Sequence, residues 1–327
     1  MADHAHSDDP AVQAQLDRLA ALSPGRDVLG LERIGALMQR LGNPHLRLPP
    51  IFHVAGTNGK GSTCAVLRAA LETDGKIVHA YTSPHLVRFN ERIRLSSRLI
   101  SDEALAHYLN QVLNHAEGLS ASFFEVTTAA AFLAFAEHPA DACIIEVGLG
   151  GRLDATNILP LCAASGIAQL GVDHEGFLGS DPAGIAREKA GIARPMRPLV
   201  TMDYPIDSRA AVADVAEQTG ATLLREGRDW SFAPVDGQLR VLFGARQVDA
   251  RLPALPGAHQ FANSALAIAM LMAQDHVTLS TQALVEAPAG ARWPARLQSM
   301  APGPLTAPIA DRIVTLDGGH NVDCAMA

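Results

Sequence analysis

The sequence predicts an α/β fold, with a mainly parallel sheet flanked by helices and ligands gathered where the strands end. Three observations predict it. Short apolar runs suited to buried strands recur at 51–55, 77–80, 142–147, 163–170 and 198–202, separated in most places by helical-period segments. The run at 51–55 passes directly into Gly56-Thr57-Asn58-Gly59-Lys60-Gly61-Ser62-Thr63, a glycine turn with a lysine and two hydroxyls. The run at 142–147 delivers a carboxylate, Glu146, just before Gly148, Gly150 and Gly151.

In chain order, 11–41 carries apolar positions at helical spacing, broken near Pro24-Gly25. Strand 51–55 and the glycine turn lead into a helix at 63–71, then a strand at 77–80. A loop from 82 to 90 precedes a short strand at 92–95, and helices follow at 101–119 and 123–137, with a weak cap at Ser101. Beyond the strand at 163–170 come a helix at 183–191, a strand at 198–202 and a helix at 208–218. After Ala221 the texture changes: 230–233, 240–243 and 247–252 read as small antiparallel strands, followed by helices at 260–273 and 280–287. The run 312–316 reads as a strand entering Asp317-Gly318-Gly319-His320-Asn321, the start of a second, Rossmann-like α/β domain. Residues 1–300 are therefore expected to form a central domain, and 301–327 a linker with the first strand of a truncated one.

Composition narrows the function. With 327 residues and 48% hydrophobic content, the chain can build a sizeable core. Its net charge of −8 argues against a duplex nucleic-acid partner, which would need a basic face. Cys64, Cys143, Cys162 and Cys324 show no C-x-x-C pairing and read as free thiols in a reducing compartment. The polar start has no apolar signal core, and no uninterrupted apolar stretch approaches the ~18 residues of a membrane span. A cytoplasmic protein without a membrane partner is expected. No assembly element is visible, so a monomer is expected.

The residues that carry chemistry begin with the glycine turn. Glycines let several backbone N–H groups converge, and a helix N-terminus faces the same point, so Gly56 to Thr63 form an anion cradle of the P-loop NTPase kind. Lys60 adds a mobile positive charge, and Ser62 or Thr63 a hydroxyl able to sit on Mg²⁺. The spacing departs from G-x-x-x-x-G-K-[ST]: the first glycine lies closer to the second, and Gly61 follows the lysine. Glu146, costly to bury unpaired, has Mg²⁺ as its natural partner beside a triphosphate, with a helix cap or salt bridge as the alternative. Asp154 and Thr156 follow on the same loop. His174, at a strand end among acidic residues, reads as a metal ligand or a plain surface histidine. Taken alone, Lys189 is an ordinary helical lysine and Ser83 a turn serine.

Together the segments resemble the folylpolyglutamate synthase family, including its bifunctional dihydrofolate synthase form, within the Mur ligase superfamily. The matching text is His53-Val54-Ala55-Gly56-Thr57-Asn58-Gly59-Lys60-Gly61-Ser62-Thr63, Thr82-Ser83-Pro84-His85-Leu86 and Phe89-Asn90-Glu91-Arg92-Ile93. It continues with Glu146-Val147-Gly148-Leu149-Gly150-Gly151-Arg152-Leu153-Asp154-Ala155-Thr156-Asn157, Asp173-His174 and Glu188-Lys189-Ala190-Gly191-Ile192. Trp293-Pro294-Ala295-Arg296-Leu297 and Asp317-Gly318-Gly319-His320-Asn321 close the series. Ala258, where the family usually carries arginine, and Val322, where it carries proline, depart from the pattern.

The resemblance implies that Lys60 and the loop amides hold ATP phosphates. It implies that Ser83 and Glu146, with the Ser62 hydroxyl, hold one Mg²⁺, and that Glu146, His174 and a carbamylated Lys189 attend a second. Asn263, Arg296, Asp317 and His320 match positions around the nucleotide. Asp154, Thr156 and the loop 82–92, with Arg88, Phe89 and Arg92, match the region shaping a folate or pteroate pocket. Arg152 and Arg187 are further candidates for a basic lining. The implied reaction joins dihydropteroate or a folate to L-glutamate through an acyl phosphate, so charge neutralisation and alignment matter rather than a nucleophilic side chain. Domain closure excludes water in such a reaction, so 1–327 alone is expected to bind ATP weakly and turn over little. A Mur-type ligase with another acceptor and a non-catalytic nucleotide-binding protein are the alternatives.

Overall fold

A computed structural model describes residues 5–22, 29–301, 303–304, 306–309 and 311–326. The break expected near Pro24-Gly25 lies outside the described residues. Eight strands form one sheet in the order β4-β3-β2-β5-β1-β6-β7-β8. They are β1 (Ile51–Ala55), β2 (Val78–Tyr81), β3 (Ile93–Leu95), β4 (Arg98–Leu99), β5 (Ala142–Glu146), β6 (Ala164–Ile167), β7 (Pro198–Thr201) and β8 (Thr222–Arg225). The β2-β5-β1-β6-β7-β8 run is parallel throughout, while β3 and β4 add an antiparallel edge. Central strand β1 is buried on both faces, as a parallel strand covered on both sides must be.

Its alternation feeds two cores. Phe52 and Val54 enter a cluster shared with α3 (Lys60–Thr73), α9 (His259–Met272) and parts of α7 (Pro182–Ala190) and α8 (Ile206–Thr219). Ile51 enters the other, built by α1 (Pro10–Leu22), α2 (Glu32–Arg40), α4 (Asp102–Ala116) and α5 (Phe123–Glu137). Each fully buried Phe or Leu contributes about 1.5–3 kcal/mol. Helix α5 is buried over most of its length and starts at a complete capping box, in which the Glu125 amide donates to Ser122 Oγ (3.2 Å) and the Ser122 amide to Glu125 Oε2 (2.6 Å). The weak cap at Ser101 is real: its Oγ accepts from the Ala104 amide.

Three differences from expectation have physical reasons. Helix α3 begins at Lys60, three residues early, because Gly59 supplies a left-handed N-cap (φ 83°) that lets the turn close at once. Strand β6 stops at Ile167 because the chain then turns its Gln169 carbonyl onto the glycine turn, accepting from the Thr57 (2.8 Å) and Asn58 (3.2 Å) amides. The run 222–225, not anticipated, extends the main sheet as β8 through parallel pairing with β7, and the small antiparallel sheet begins at Trp230 as expected. That sheet comprises β9 (Trp230–Val235), β10 (Gln238–Phe243) and β11 (Arg246–Arg251).

Helix α10 (Thr281–Gly290) packs along α3. The strand expected at 312–316 shortens to β13 (Thr315–Leu316) and pairs antiparallel with β12 (Gln298–Ser299) in a two-stranded ribbon. A four-residue helix, α6 (Glu175–Leu178), follows His174, and α11 (Val322–Met326) ends the described chain. Among the described residues no helix is long and apolar enough to cross a membrane.

Candidate functional site

Strands β1, β2, β5 and β6 all run in one direction, so the segments that leave their carboxyl ends converge. From β1 comes the glycine turn, from β2 Thr82 and Ser83, from β5 Glu146, and from β6 the segment 169–174. Val54 lies directly beside Glu146 in the sheet register, which fixes the carboxylate one residue from the turn.

The first turn of α3 is an unfilled set of donors. The amides of Gly59, Lys60, Gly61 and Ser62 find no acceptor among the described residues. The Ser62 and Thr63 hydroxyls are buried and also lack partners. Such groups cost about 1–3 kcal/mol each when left unmet, so their concentration at one helix start points to an absent ligand. Thr57 and Asn58 differ from the expected phosphate holders. Their amides are spent on Gln169, and the Thr57 hydroxyl bridges the Gly171 carbonyl (2.8 Å) and amide (3.0 Å), so both residues clamp the turn to the β6 exit.

Two ammonium groups meet at one oxygen. Lys60 donates to the Gly56 carbonyl at 3.1 Å and to that of Thr57 at 3.3 Å. Lys189, 3% exposed on α7, donates to the same Gly56 carbonyl at 3.1 Å. Burial, reinforced by the Lys60 charge, drives the Lys189 ammonium down to about 7. The buried Glu146 carboxyl is raised by desolvation, against the pull of Lys60 and Arg296. Among the described residues its one hydrogen-bond donor is the Ser83 amide (3.2 Å). A carboxylate this buried and this sparsely bonded, on the strand next to the one that carries the glycine turn, fits a hard cation. No three His, Cys, Asp or Glu side chains form a metal cluster among the described residues, so any ion here draws on hydroxyl and phosphate oxygens as well.

His174 is exposed in a left-handed conformation (φ 53°); partial desolvation by its neighbours lowers its pKa, Asp173 opposes that, and the Lys60 and Lys189 charges add to the lowering. Asn263, buried on α9, sits against the turn: a Cβ built on Gly59 would lie 2.2 Å from its Oδ1. Arg296 is half-buried and its charge reaches Glu146. Asp317 and His320 are exposed. Asp317 accepts from the Leu297 amide (2.7 Å), and His320 lies 3.4 Å from Asp173. Asn321, to which no role was assigned, exchanges hydrogen bonds with Asn58 (3.2 and 3.0 Å) and donates to Asp173 (3.1 Å). Its place in the quoted motif was the only signal.

The positions expected to meet the pterin side separate. Arg88 and Phe89 line a cavity of about 510 Å³, with His6, Asp9, His85 and Asp102. Arg88 also pairs with Asp102 (2.8 Å). Arg92 is not a lining group: it is 1% exposed, lies 5.2 Å from the Phe89 ring centre and 5.6 Å from that of Phe123, and donates to His85 (2.9 Å). Asp154 and Thr156 are likewise buried, at 2% and 0% exposure. Asp154 accepts from the Leu149 amide (2.8 Å) and the Thr156 amide (2.9 Å) and hydroxyl (2.5 Å), and the hydroxyl reaches His53 (2.9 Å). These two residues brace the glycine loop after Glu146 from below instead of touching what it holds. Arg152 pairs with Glu188 (2.8 Å), and Arg187 is exposed.

No protein-family model matches the chain. The dihydrofolate synthase/folylpolyglutamate synthase of Escherichia coli K12 is 37% identical over 308 residues, covering 91% of this chain and 67% of that protein. The structure of E. coli FolC in complex with DHPP and ADP superposes with a TM-score of 0.86 at 34% identity, covering 97% of this chain and 73% of that one. A bifunctional folylpolyglutamate synthase/dihydrofolate synthase with Mn, AMPPNP and L-glutamate bound gives 0.84 at 35% identity, with 96% and 72% coverage.

Proposed function

The chain belongs to the dihydrofolate synthase/folylpolyglutamate synthase family, and we propose that it joins L-glutamate to dihydropteroate, to a reduced folate, or to both, at the expense of ATP. One observation carries the reading at the level of this chain. The amides of Gly59 to Ser62 and the Ser62 hydroxyl have no partner among the described residues, and the Lys60 ammonium of the same turn lowers the pKa of the buried Glu146 carboxyl at the end of the neighbouring strand.

A free carboxylate resists an amine because an oxide would have to leave. In the proposed reaction a carboxylate oxygen of the pterin substrate attacks the γ-phosphorus, the bond to the β-bridging oxygen breaks, and ADP departs. The glutamate amine then attacks the acyl carbon, and the carbon–oxygen bond to phosphate breaks. This chain's part is to hold and neutralise. Lys60, now resting on two loop carbonyls, transfers to phosphate oxygens, while the α3 amides cradle the same group. Asn263, Arg296, Asp317 and His320 flank the nucleotide.

Ser62, Ser83 and Glu146 would hold one Mg²⁺, and Glu146, His174 and Lys189 a second. Bound ions would supply charge neutralisation of the triphosphate. Lys189 suits a carbamate because, with a pKa near 7, a large share of it is free amine at neutral pH, able to add CO₂ and become an oxygen ligand. The cavity beside Arg88 and Phe89 would receive the pterin substrate. The acidic chain works in this reading as a cytoplasmic monomer, without nucleic-acid or membrane partners. Residues 301–327 serve in this reading as a linker and the first strand of a second α/β domain.

Ligation assays with ATP, Mg²⁺ and L-glutamate, run separately with dihydropteroate and tetrahydrofolate, test the reading. Sustained ADP release, beyond a single turnover, that requires both glutamate and one of these acceptors is expected. ADP release indifferent to both, or turnover of an unrelated carboxylate only, would overturn it.

A further inference from the structure

The amide of the glycine after the phosphate-loop lysine belongs to the cradle, but nothing in the chemistry above requires that residue to lack a side chain, and its surroundings are specific. A Cβ placed on Gly61 would lie 2.8 Å from Trp293 Cε2 and Cζ2 and 3.0 Å from its Nε1. No real Cβ contact is that short against a ring, so the indole seats on bare backbone in the first turn of α3. Trp293 is half-buried and packs against the core that contains α3 and α9. Its indole N–H has no hydrogen-bond partner among the described residues, so packing alone holds it.

The turn that Trp293 opens is strained. Ala295 (φ 52°) and Leu297 (φ 44°) both occupy the left-handed region, which is unfavourable for a non-glycine residue. Other contacts brace it: the Ala295 amide donates to Gln298 Oε1 (2.9 Å), the Gly318 amide to the Ala295 carbonyl (2.9 Å), and the Leu297 amide to Asp317 (2.7 Å). Upstream, Arg68 of α3 donates to the Arg292 carbonyl (3.3 Å). Between the two left-handed residues stands Arg296, whose Nη1 donates to the Ala295 carbonyl (2.8 Å) and whose charge lowers the pKa of Glu146.

We propose that Trp293 is a positioning residue which seats the strained turn 293–297 on the phosphate loop through Gly61, so that the set of Arg296 follows the conformation of the loop and nucleotide binding registers at the indole. This deepens the ATP reading of the same site and rests on it. It also gives Gly61 a reason that phosphate geometry does not supply: any side chain there would push the indole, and the turn with it.

The test combines ATP-binding calorimetry with tryptophan emission on four proteins: the unmodified chain, Gly61→Ala, Trp293→Ala and the double variant, with Trp293→Phe as the optical control. Gly61→Ala is expected to weaken MgATP binding about tenfold or more, as an ångström-scale misplacement of a binding group does. The double variant is expected to bind no worse than Trp293→Ala, because removing the ring removes the clash. Tryptophan emission of the unmodified chain should change on adding MgATP, and that change should vanish in Trp293→Phe. If Gly61→Ala does not fold, recovery of folding in the double variant reads the same clash. Additive losses, an emission change that survives in Trp293→Phe, or unchanged emission with ATP bound would overturn the proposal. No ATP binding by the unmodified chain would overturn the functional reading itself, and this inference with it.

Discussion

The phosphate loop and the loop 82–92 leave strands of the same sheet, yet treat their polar groups in opposite ways. At the phosphate loop four amides and two buried hydroxyls have no partners among the described residues, and two ammonium groups crowd one carbonyl. In the loop 82–92 the Glu91 carboxylate accepts from the amides of Leu86 (2.7 Å), Val87 (3.1 Å) and Arg88 (2.8 Å). Arg88 closes on Asp102, and Asn90 donates to the Ile100 carbonyl (3.0 Å) and to Asp102 (2.8 Å). The first region is incomplete without a ligand, and the second is complete without one. Removing a group from the first should therefore harm binding more than folding, and the reverse should hold in the second.

The sharpest break of that contrast is Lys60→Ala. Losing a charge-assisted phosphate contact of about 1.5–3 kcal/mol should lower ATP affinity roughly 10- to 100-fold, with little change in unfolding. Unchanged affinity by calorimetry would remove the loop from the binding site.

Lys189→Met follows. The folded Lys189 titrates near 7 and the unfolded one near 10.5, so between those values the unfolded chain holds the extra proton. Stability of the natural chain should rise with pH across that window, by up to about 1.4 kcal/mol per unit of pKa difference in all, and the methionine variant should lose this rise. Urea melts at pH 6 and pH 9 whose difference is the same for both proteins would show that Lys189 is not desolvated as described.

Glu91→Gln tests the complete region. Burial pushes the Glu91 carboxyl up, but the three amides of Arg88, Leu86 and Val87 together hold it below its ordinary 4.5. Its stabilising effect is present above that value and is lost as pH falls through the folded pKa. The variant should be about 1–2 kcal/mol less stable at pH 7, with a gap that narrows in acid. A gap that widens in acid would contradict the arrangement. Smallest of all is Arg152→Ala: the Arg152–Glu188 pair is largely exposed, so a loss under about 1 kcal/mol is expected, and a larger one in thermal melts would mean that Arg152 props Gly191.

Much of this was legible in the sequence. Apolar run length located most strands of the main sheet, and the helix 123–137 was bounded correctly because Ser122 and Glu125 cap it. Lys60 and Glu146 stood out from the residues themselves, and the Lys60 charge does reach Glu146. Lys189, an ordinary helical lysine by its own neighbours, was singled out only by the resemblance, and it shares the Gly56 carbonyl with Lys60. Thr57, Arg92, Asp154 and Thr156 were assigned to ligands, and the fold uses them as braces. Their residue types suit both tasks, and only burial separates the two. Strand β8 was missed because Thr222-Leu223-Leu224-Arg225 is short and carries no turn signal, so its pairing with β7 comes from neighbours distant in the chain.

By itself the sequence determined what is local: periodicity, caps, the glycine turn and the family text, each set by neighbours a few residues away. Tertiary structure decided which polar groups have partners. That two lysines 129 positions apart in 60 and 189 share the Gly56 carbonyl, and that an indole at 293 needs a glycine at 61, depends on crossovers bringing strand ends and α10 to one place. Hydrogen bonding and packing act over a few ångströms of space, whatever the distance along the chain.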